Sequence, residues 1–311
     1  MQAWVMHGYG GAEAMRFETV AVPQARPGEL LLRVEAASVN PADWKILAGL
    51  LQAVLPLTFP HVPGRDGVGT VVSLGAGCDG FAVGQRVHAV ADALRDGTHA
   101  EFTAVPGAMA APVPPSLPSA DAACLGVAGL SAWIALVEIA ALQPGERVLI
   151  HAGAGGVGGL AVQIARHMGA EVFATCGTAN VGYCASLGAH RAIDYTRERF
   201  EAVTGGCDAV LDTVGGEVHR RSFEVLKPGG LLVHLAAAPI ETTDPTPPRA
   251  DVRVVRADVR ASTARLAQLL DWARAGFIRP QAGRSFPLVE AGAAYALSAG
   301  GHMRGKIILT A

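Results

Sequence analysis

The chain has 311 residues, half of them hydrophobic, with a formal net charge of -2 and 10 histidines. That is enough apolar material for two cores, and the charge balance excludes an electrostatic footprint for nucleic acid or an anionic membrane surface, so small-molecule partners are expected. Mean hydropathy is +0.32, yet glycine, proline or a charge interrupts every apolar run before it reaches bilayer length.

Met1-Gln2-Ala3-Trp4-Val5-Met6-His7-Gly8 has no basic stretch followed by an apolar one, so a cytoplasmic setting is expected. From residue 1 to 118, β-prone runs at 3–6, 30–39, 67–74, 86–90 and 101–105 alternate with Gly and Pro, which predicts a β-rich, barrel-like domain. Ala111-Pro112-Val113-Pro114-Pro115-Ser116-Leu117-Pro118 stops regular structure and marks a junction. Helical spacing follows from Ser119, and 130–142 reads as one long helix.

Next comes Val148-Leu149-Ile150-His151-Ala152-Gly153-Ala154-Gly155-Gly156-Val157-Gly158, a strand, a tight turn and the start of a helix. Gly153, Gly155 and Gly158 stand as G-x-G-x-x-G. Missing β-carbons there permit the turn, let backbone approach a pyrophosphate and let the helix press on the strand, while the free N–H groups of the helix start face the phosphates. Gly153, Ala154, Gly155, Gly156 and Val157 are therefore the expected phosphate contacts. Further strands at 171–175, 209–213 and 231–235, separated by helical or turn material, predict an α/β domain with a doubly wound parallel sheet. Residues 239–248 read as a loop, 251–259 as an edge strand, 262–275 as a helix capped by Ser262 and stopped by Gly276, and 306–310 as a terminal strand returning to the first domain. The expected domains are 1–120 (catalytic, first part), 121–261 (dinucleotide-binding) and 262–311 (catalytic, return segment).

An NAD site carries Asp or Glu at the end of its second strand, about 20 residues beyond the glycines. Here that place reads Thr175-Cys176-Gly177-Thr178-Ala179-Asn180, without a carboxylate. Thr175, Thr178 and Asn180 are candidate contacts for the adenosine ribose, and hydroxyl and amide groups suit a 2′-phosphate. No Arg or Lys lies between Thr175 and Tyr183, which leaves Arg191 or Arg197 to supply positive charge. NADPH is the expected cofactor.

Several segments now converge: Ala37-Ser38-Val39-Asn40-Pro41-Ala42-Asp43-Trp44-Lys45, Pro63-Gly64-Arg65-Asp66-Gly67-Val68-Gly69, Gly80-Phe81-Ala82-Val83-Gly84-Gln85-Arg86-Val87, Ala128-Gly129-Leu130-Ser131-Ala132-Trp133, the glycine turn, Asp208-Ala209-Val210-Leu211-Asp212-Thr213-Val214-Gly215-Gly216, Leu226-Lys227-Pro228-Gly229-Gly230 and Arg304-Gly305-Lys306-Ile307. Together, over nearly the whole chain, they resemble the medium-chain dehydrogenase/reductase superfamily and its zinc-independent quinone oxidoreductase (zeta-crystallin-like) branch. The resemblance implies a GroES-like catalytic domain built from both chain ends, a central Rossmann domain, a cleft between them, and a homodimer paired through edge strands, with 251–259 the candidate edge. It also implies Asn40 beside the nicotinamide, Ser131 on the nicotinamide ribose, Tyr195 next to the 2′-phosphate, and Ala236 and Lys306 among the cofactor contacts. From the residues alone, Asn40 serves equally as the cap of a helix starting at Pro41, and Ser131 as a helix-capping hydroxyl.

Catalytic zinc needs three protein ligands of Cys, His or carboxylate type. Where the zinc enzymes of the superfamily place theirs, this chain has Ser38 to Asn40, Arg65 and the apolar neighbourhood of Val127, so no metal is expected. The five cysteines (Cys78, Cys124, Cys176, Cys184, Cys207) lack C-x-x-C spacing, which argues against a structural zinc lobe or a disulfide framework. Without a Lewis acid, alcohol oxidation is poorly supported, whereas quinones and α,β-unsaturated carbonyls are already electrophilic. The chain is thus expected to move hydride from NADPH to a quinone or enone, with reduction of another activated alkene such as an enoyl thioester, or nucleotide binding without turnover, as alternatives. The catalytic candidates are Lys45 and Asn40. Lysines number three against twenty-two arginines, and the Lys45 ammonium suits a carbonyl oxygen or a ribose hydroxyl, though it also reads as a solvated helix residue. Asp43 and Trp44 are candidate pocket residues. His61, His151 and His234 read as structural, and the apolar run at 47–59 suggests an uncharged acceptor.

Overall fold

A computed structural model describes residues 1–235 and 249–311; Ala236 and the loop expected at 239–248 lie outside the described residues. The chain forms two compact units. One comprises Met1–Leu130, Arg260–Gly276 and Pro280–Ala311, the other Ser131–Val259 and Phe277–Arg279.

The first unit opens with β1 (Gln2–Met6), β2 (Met15–Thr19), β3 (Glu29–Val39), α1 (Pro41–Leu47), β4 (Asp66–Leu74), β5 (Arg86–Val90), β6 (Phe102–Pro106), β7 (Ala110–Pro112), α2 (Ser119–Ala123) and α3 (Val127–Trp133). Along β3, Leu30, Leu32, Val34 and Ala36 are buried at every second position, the period of a strand with one face on a core. Leu30 and Leu32 pack with Val71, Val87, Val105 and Ala110.

α3 runs into a π-helical stretch, Ile134–Ile139, where the sequence predicts one long α-helix to 142. The Ala140 N–H reaches back five residues to the Ala135 carbonyl at 2.9 Å, and Ala141, at φ 47°, ends the run. Such widened turns replace the regular ladder without breaking it, which hydrophobic spacing alone does not signal.

The second unit continues with β8 (Arg147–Ile150), α4 (Gly156–His167), β9 (Glu171–Cys176), α5 (Val181–Ser186), β10 (Arg191–Asp194), α6 (Phe200–Val203), β11 (Cys207–Asp212), α7 (Gly216–Ser222), β12 (Leu226–His234) and β13 (Arg253–Arg256). Its sheet has the order β10-β9-β8-β11-β12-β13, with every pairing parallel. This is the doubly wound dinucleotide-binding order, in which the chain reverses direction between the first and fourth strands. β10, only four residues long, is not apparent in the hydrophobic pattern, and β13 forms the edge.

The chain returns to the first unit through α8 (Thr263–Arg274), β14 (Ala282–Pro287), α9 (Ala291–Gly300) and β15 (Lys306–Thr310). Ser262 caps α8 by accepting the Arg265 N–H, and Gly276 beyond its end has φ 79°. β15 lies antiparallel against β3, with Ile307 opposite Val39. That register brings Lys306, near one chain end, beside Asn40, near the other.

Candidate active site

In the second unit, β8 delivers the chain into the glycine turn. Ala152 sits at φ 52°, a left-handed conformation costly for a residue with a β-carbon and often stored at functional turns. The turn is held from β9: the Thr175 carbonyl accepts the Gly153 N–H at 2.8 Å and the Thr175 hydroxyl accepts the Ala152 N–H at 3.2 Å. A β-carbon on Gly153 would stand 2.7 Å from the Ala174 β-carbon, and one on Gly158 would stand 2.2 Å from the Ala152 carbonyl oxygen. Glycine is thus obligatory at both places for helix, turn and strand to approach this closely. Gly156 and Val157 open α4 behind Gly155, so their N–H groups are among those a helix leaves free at its start. Backbone donors without β-carbons before them suit a pyrophosphate.

Behind the turn lies a closed polar relay. The Ser222 hydroxyl donates to the Val218 carbonyl at 2.6 Å, so at 2.9 Å it accepts from His151 Nε2–H; His151 Nδ1 then accepts from the Thr175 hydroxyl at 3.1 Å. Thr175 is thus buried and holds the turn through its hydroxyl as well as its carbonyl. Burial pushes the His151 pKa down to about 4, only partly opposed by Asp212. In the first unit, buried His88 is likewise pushed down to about 4 by burial. Because both folded values lie below the unfolded value of 6.5, protonation favours unfolding, and the stability present above that value drains away as pH falls towards 4. Each histidine is expected to withdraw about 2 kcal/mol between pH 7 and pH 5. Urea unfolding at both pH values checks this, and His151→Gln should flatten the contribution of the second unit.

β11 ends beside the same turn. Thr213 donates to the His151 carbonyl at 2.9 Å, and Asp212 accepts the Val214 and Gly215 N–H groups at 2.8 Å each and pairs with His219 at 2.8 Å. Burial opposes ionisation of Asp212, but the His219 bond and the two backbone donors outweigh it and hold the carboxyl below its usual range.

At the adenosine end the structure supplies what the linear pattern hides. β10 pairs with β9 so that Asp194 lies opposite Cys176, and a carboxylate stands beside the end of β9 after all. Bonds from Thr178 and Thr196 hold Asp194 below its usual range, and the Arg197 guanidinium approaches it at 3.5 Å. Thr178 and Thr196 also meet each other at 3.0 Å. Tyr195 is 50% exposed and the Arg197 side chain 74%, both just past the carboxyl end of β10. Arg191 does not belong there: it starts β10, away from the carboxyl ends, and pairs with Glu198 at 2.8 Å. Asn180 follows Thr178 in a short helical turn, and Ser131 is buried in α3.

In the first unit, α1 starts with Pro41 and carries Asp43, Trp44 and Lys45. Asp43 Oδ2 accepts the Asn40 N–H at 2.7 Å, fastening the helix start. The Asn40 amide is itself committed: it donates to Asp66 at 2.7 Å and Ser38 at 3.2 Å, and its oxygen accepts from Lys306 at 2.7 Å. Lys306 also donates to the Val39 carbonyl at 3.0 Å. Both residues are buried, and these bonds let Asn40 and Lys306 hold the start of α1 in place. Asp66 completes the network by accepting the Ser38 hydroxyl at 2.6 Å and the Val127 N–H at 3.0 Å. Its place after Pro63-Gly64-Arg65, inside a strand, was the signal available in the sequence. Lys45 differs from these: half-buried, 5.5 Å from the centre of the Trp44 ring, it has its pKa lowered by burial.

Residues 26–115 match the alcohol dehydrogenase GroES-like domain and 187–309 the family described as zinc-binding dehydrogenase. Among the described residues, however, no three His, Cys, Asp or Glu side chains gather as a metal site would require. A chloroplast envelope quinone oxidoreductase homolog of Arabidopsis thaliana is 32% identical, covering 99% of this chain and 98% of the relative. An NADPH-dependent alkenal/one oxidoreductase of the same plant is 32% identical over 99% of this chain and 79% of its own. The solved quinone oxidoreductase of Coxiella burnetii superposes with a TM-score of 0.91 at 30% identity, over 100% of this chain and 99% of that one. No helix among the described residues is long and apolar enough to cross a membrane. With the GroES-like domain, the parallel dinucleotide sheet and these full-length relatives in agreement, the chain is an oxidoreductase of the medium-chain dehydrogenase/reductase superfamily, in its zinc-independent quinone oxidoreductase branch.

Proposed function

We propose that this oxidoreductase, which works with a nicotinamide dinucleotide, uses NADPH to reduce a quinone or an α,β-unsaturated ketone or aldehyde. The observation that carries the reading is the glycine turn opening α4 where the strand order of the parallel sheet reverses, since a β-carbon at Gly153 or Gly158 would drive helix, turn and strand apart and displace the N–H groups that suit a pyrophosphate. When bound, the nicotinamide supplies hydride; the protein supplies binding and orientation. The turn and the start of α4 take the pyrophosphate, Ser131 the nicotinamide ribose, and Thr178, Asn180, Tyr195 and Arg197 the adenosine ribose with its 2′-phosphate. Lys45 donates a hydrogen bond to an oxygen of the acceptor or to a ribose hydroxyl. An NADPH-dependent relative and the exposed Arg197 support the phosphorylated cofactor, while the Asp194 charge is largely absorbed by Thr178, Thr196 and Arg197.

Initial rates with a naphthoquinone and a short enone, each against NADPH and NADH, test this. NADPH should be preferred by about tenfold in kcat/KM, equivalent to about 1.4 kcal/mol. Arg197→Ala should erase that preference without touching NADH. Lys45→Met should lower kcat by about a hundredfold. Purified protein that binds neither nucleotide, or binds one and consumes none with any acceptor, would end the reading.

A further inference from the structure

The carboxyl ends of β9 and β10 gather exposed polar side chains around one buried carboxylate. The Asp194 side chain is 9% exposed, whereas Thr178, Tyr195, Thr196 and Arg197 lie open to solvent. Asp194 Oδ1 accepts the Thr196 N–H at 3.0 Å and the Thr196 hydroxyl at 2.7 Å. The Thr178 hydroxyl bonds the same carboxyl group and is the strongest influence holding it below its usual range, and Thr178 Oγ1 and Thr196 Oγ1 stand 3.0 Å apart. An ionised carboxylate only accepts. Both hydroxyl protons therefore stay within the cluster, whether Thr178 donates to the carboxylate or to Thr196 Oγ1, and both oxygens offer lone pairs to an incoming group. Arg197, with Nε 3.5 Å from Asp194 Oδ2, can only donate.

This arrangement treats the two possible 2′ groups of an adenosine ribose differently. A 2′-hydroxyl, as in NAD, can donate to a threonine oxygen. A dianionic 2′-phosphate, as in NADP, has no proton to give, so each threonine oxygen meets it as one acceptor meets another, and the attraction of Arg197 has to favour it. We propose that Asp194 is a positioning residue for cofactor choice: by drawing the Thr178 and Thr196 hydroxyl protons inward, it favours the 2′-hydroxyl and limits the preference for a 2′-phosphate.

The inference rests on the dinucleotide reading above, in which this corner receives the adenosine ribose. It makes the sign of the threonine contribution depend on residue 194. With Asp194 in place, the two hydroxyls help a 2′-hydroxyl and do nothing for a phosphate. With alanine there, no carboxylate claims their protons, so the same hydroxyls turn outward and donate to the phosphate, and Arg197 loses its competing neighbour. A 2′-hydroxyl both donates and accepts, so it is served in either case. A carboxylate that merely repelled phosphate by its charge would give no such reversal, since the threonines would then act alike in both backgrounds.

Calorimetric titration of the whole protein with NADP⁺ and with NAD⁺, at pH 8 and without any acceptor, provides the test. The two nucleotides share everything but the 2′ group, so the ratio of their affinities reports this corner alone. The double variant Thr178→Val, Thr196→Val keeps the side-chain shapes and should weaken NAD⁺ by about fivefold with NADP⁺ little changed, raising the preference for phosphate. Asp194→Ala should tighten NADP⁺ by about tenfold and leave NAD⁺ nearly as it was. Adding the two valines to Asp194→Ala should then weaken NADP⁺ by about tenfold, the opposite of their effect on the ratio when Asp194 is present. A phosphate preference that falls or stays level when the threonines are replaced beside Asp194, or that does not rise in Asp194→Ala, overturns the proposal while the dinucleotide reading stands. Failure of the unaltered protein to bind either nucleotide overturns both.

Discussion

Replacing Gly158 with alanine is expected to lower dinucleotide affinity by about a hundredfold, because the added β-carbon would lie 2.2 Å from the Ala152 carbonyl oxygen and 2.9 Å from the Gly153 α-carbon. Neither atom belongs to a flexible side chain, so α4 must back away from the turn, and its N–H groups move with it. Overpacking of this kind costs about 1–3 kcal/mol of stability, too little to unfold a domain, so the binding loss should be seen on folded protein. Gly182 is the control. It sits in α5 with nothing within 4 Å of a prospective β-carbon, and alanine there should leave binding unchanged and raise stability slightly. Titration of nucleotide by intrinsic fluorescence, with circular dichroism to confirm folding, decides the matter. Equal affinity in the two variants would mean that the turn does not receive the pyrophosphate.

The second large effect lies in the first unit. Asp66→Asn should destabilise that unit by about 3–5 kcal/mol, because the carboxylate accepts from Ser38, Asn40 and the Val127 N–H while buried Lys306 depends on the same network through Asn40. The substitution removes a negative charge and leaves a buried ammonium uncompensated. Lys306→Met alone should be costly for the converse reason. The double variant should lose clearly less than the sum of the two single losses, since neither charge is then left alone. Urea denaturation of the four proteins measures this. Strict additivity would mean that the two charges do not sense each other.

The second unit was legible from the sequence because its governing feature is local: three glycines at fixed spacing after an apolar run force a strand, turn and helix, and the alternation that follows allows few sheets. What escaped was whatever depends on neighbours distant in the chain. Asp194 lies eighteen residues past Cys176 and reaches its side only through the pairing of a four-residue strand, so the apparent lack of a carboxylate at the end of β9 was a property of the linear order alone. Arg191 was misplaced for the same reason, being at the opposite end of that strand. Asn40 and Lys306 each read as a cofactor contact because each is a polar residue in a recognisable motif. The antiparallel register of β15 on β3 also turns them toward one another, which the linear order does not show. Thr175 faces inward to hold the turn, which strand periodicity could not decide at a strand's last residues.

The first unit is assembled from both ends of the chain, and the bond between Asn40 and Lys306 closes over 266 residues. During synthesis the nucleotide-binding unit emerges complete while the other still lacks its closing strand, and domains that are complete fold first. A ribosome stalled before Lys306 would therefore hold a chain able to grip a dinucleotide, with α1 not yet anchored. Competence to reduce anything would arrive only once β15 had paired with β3.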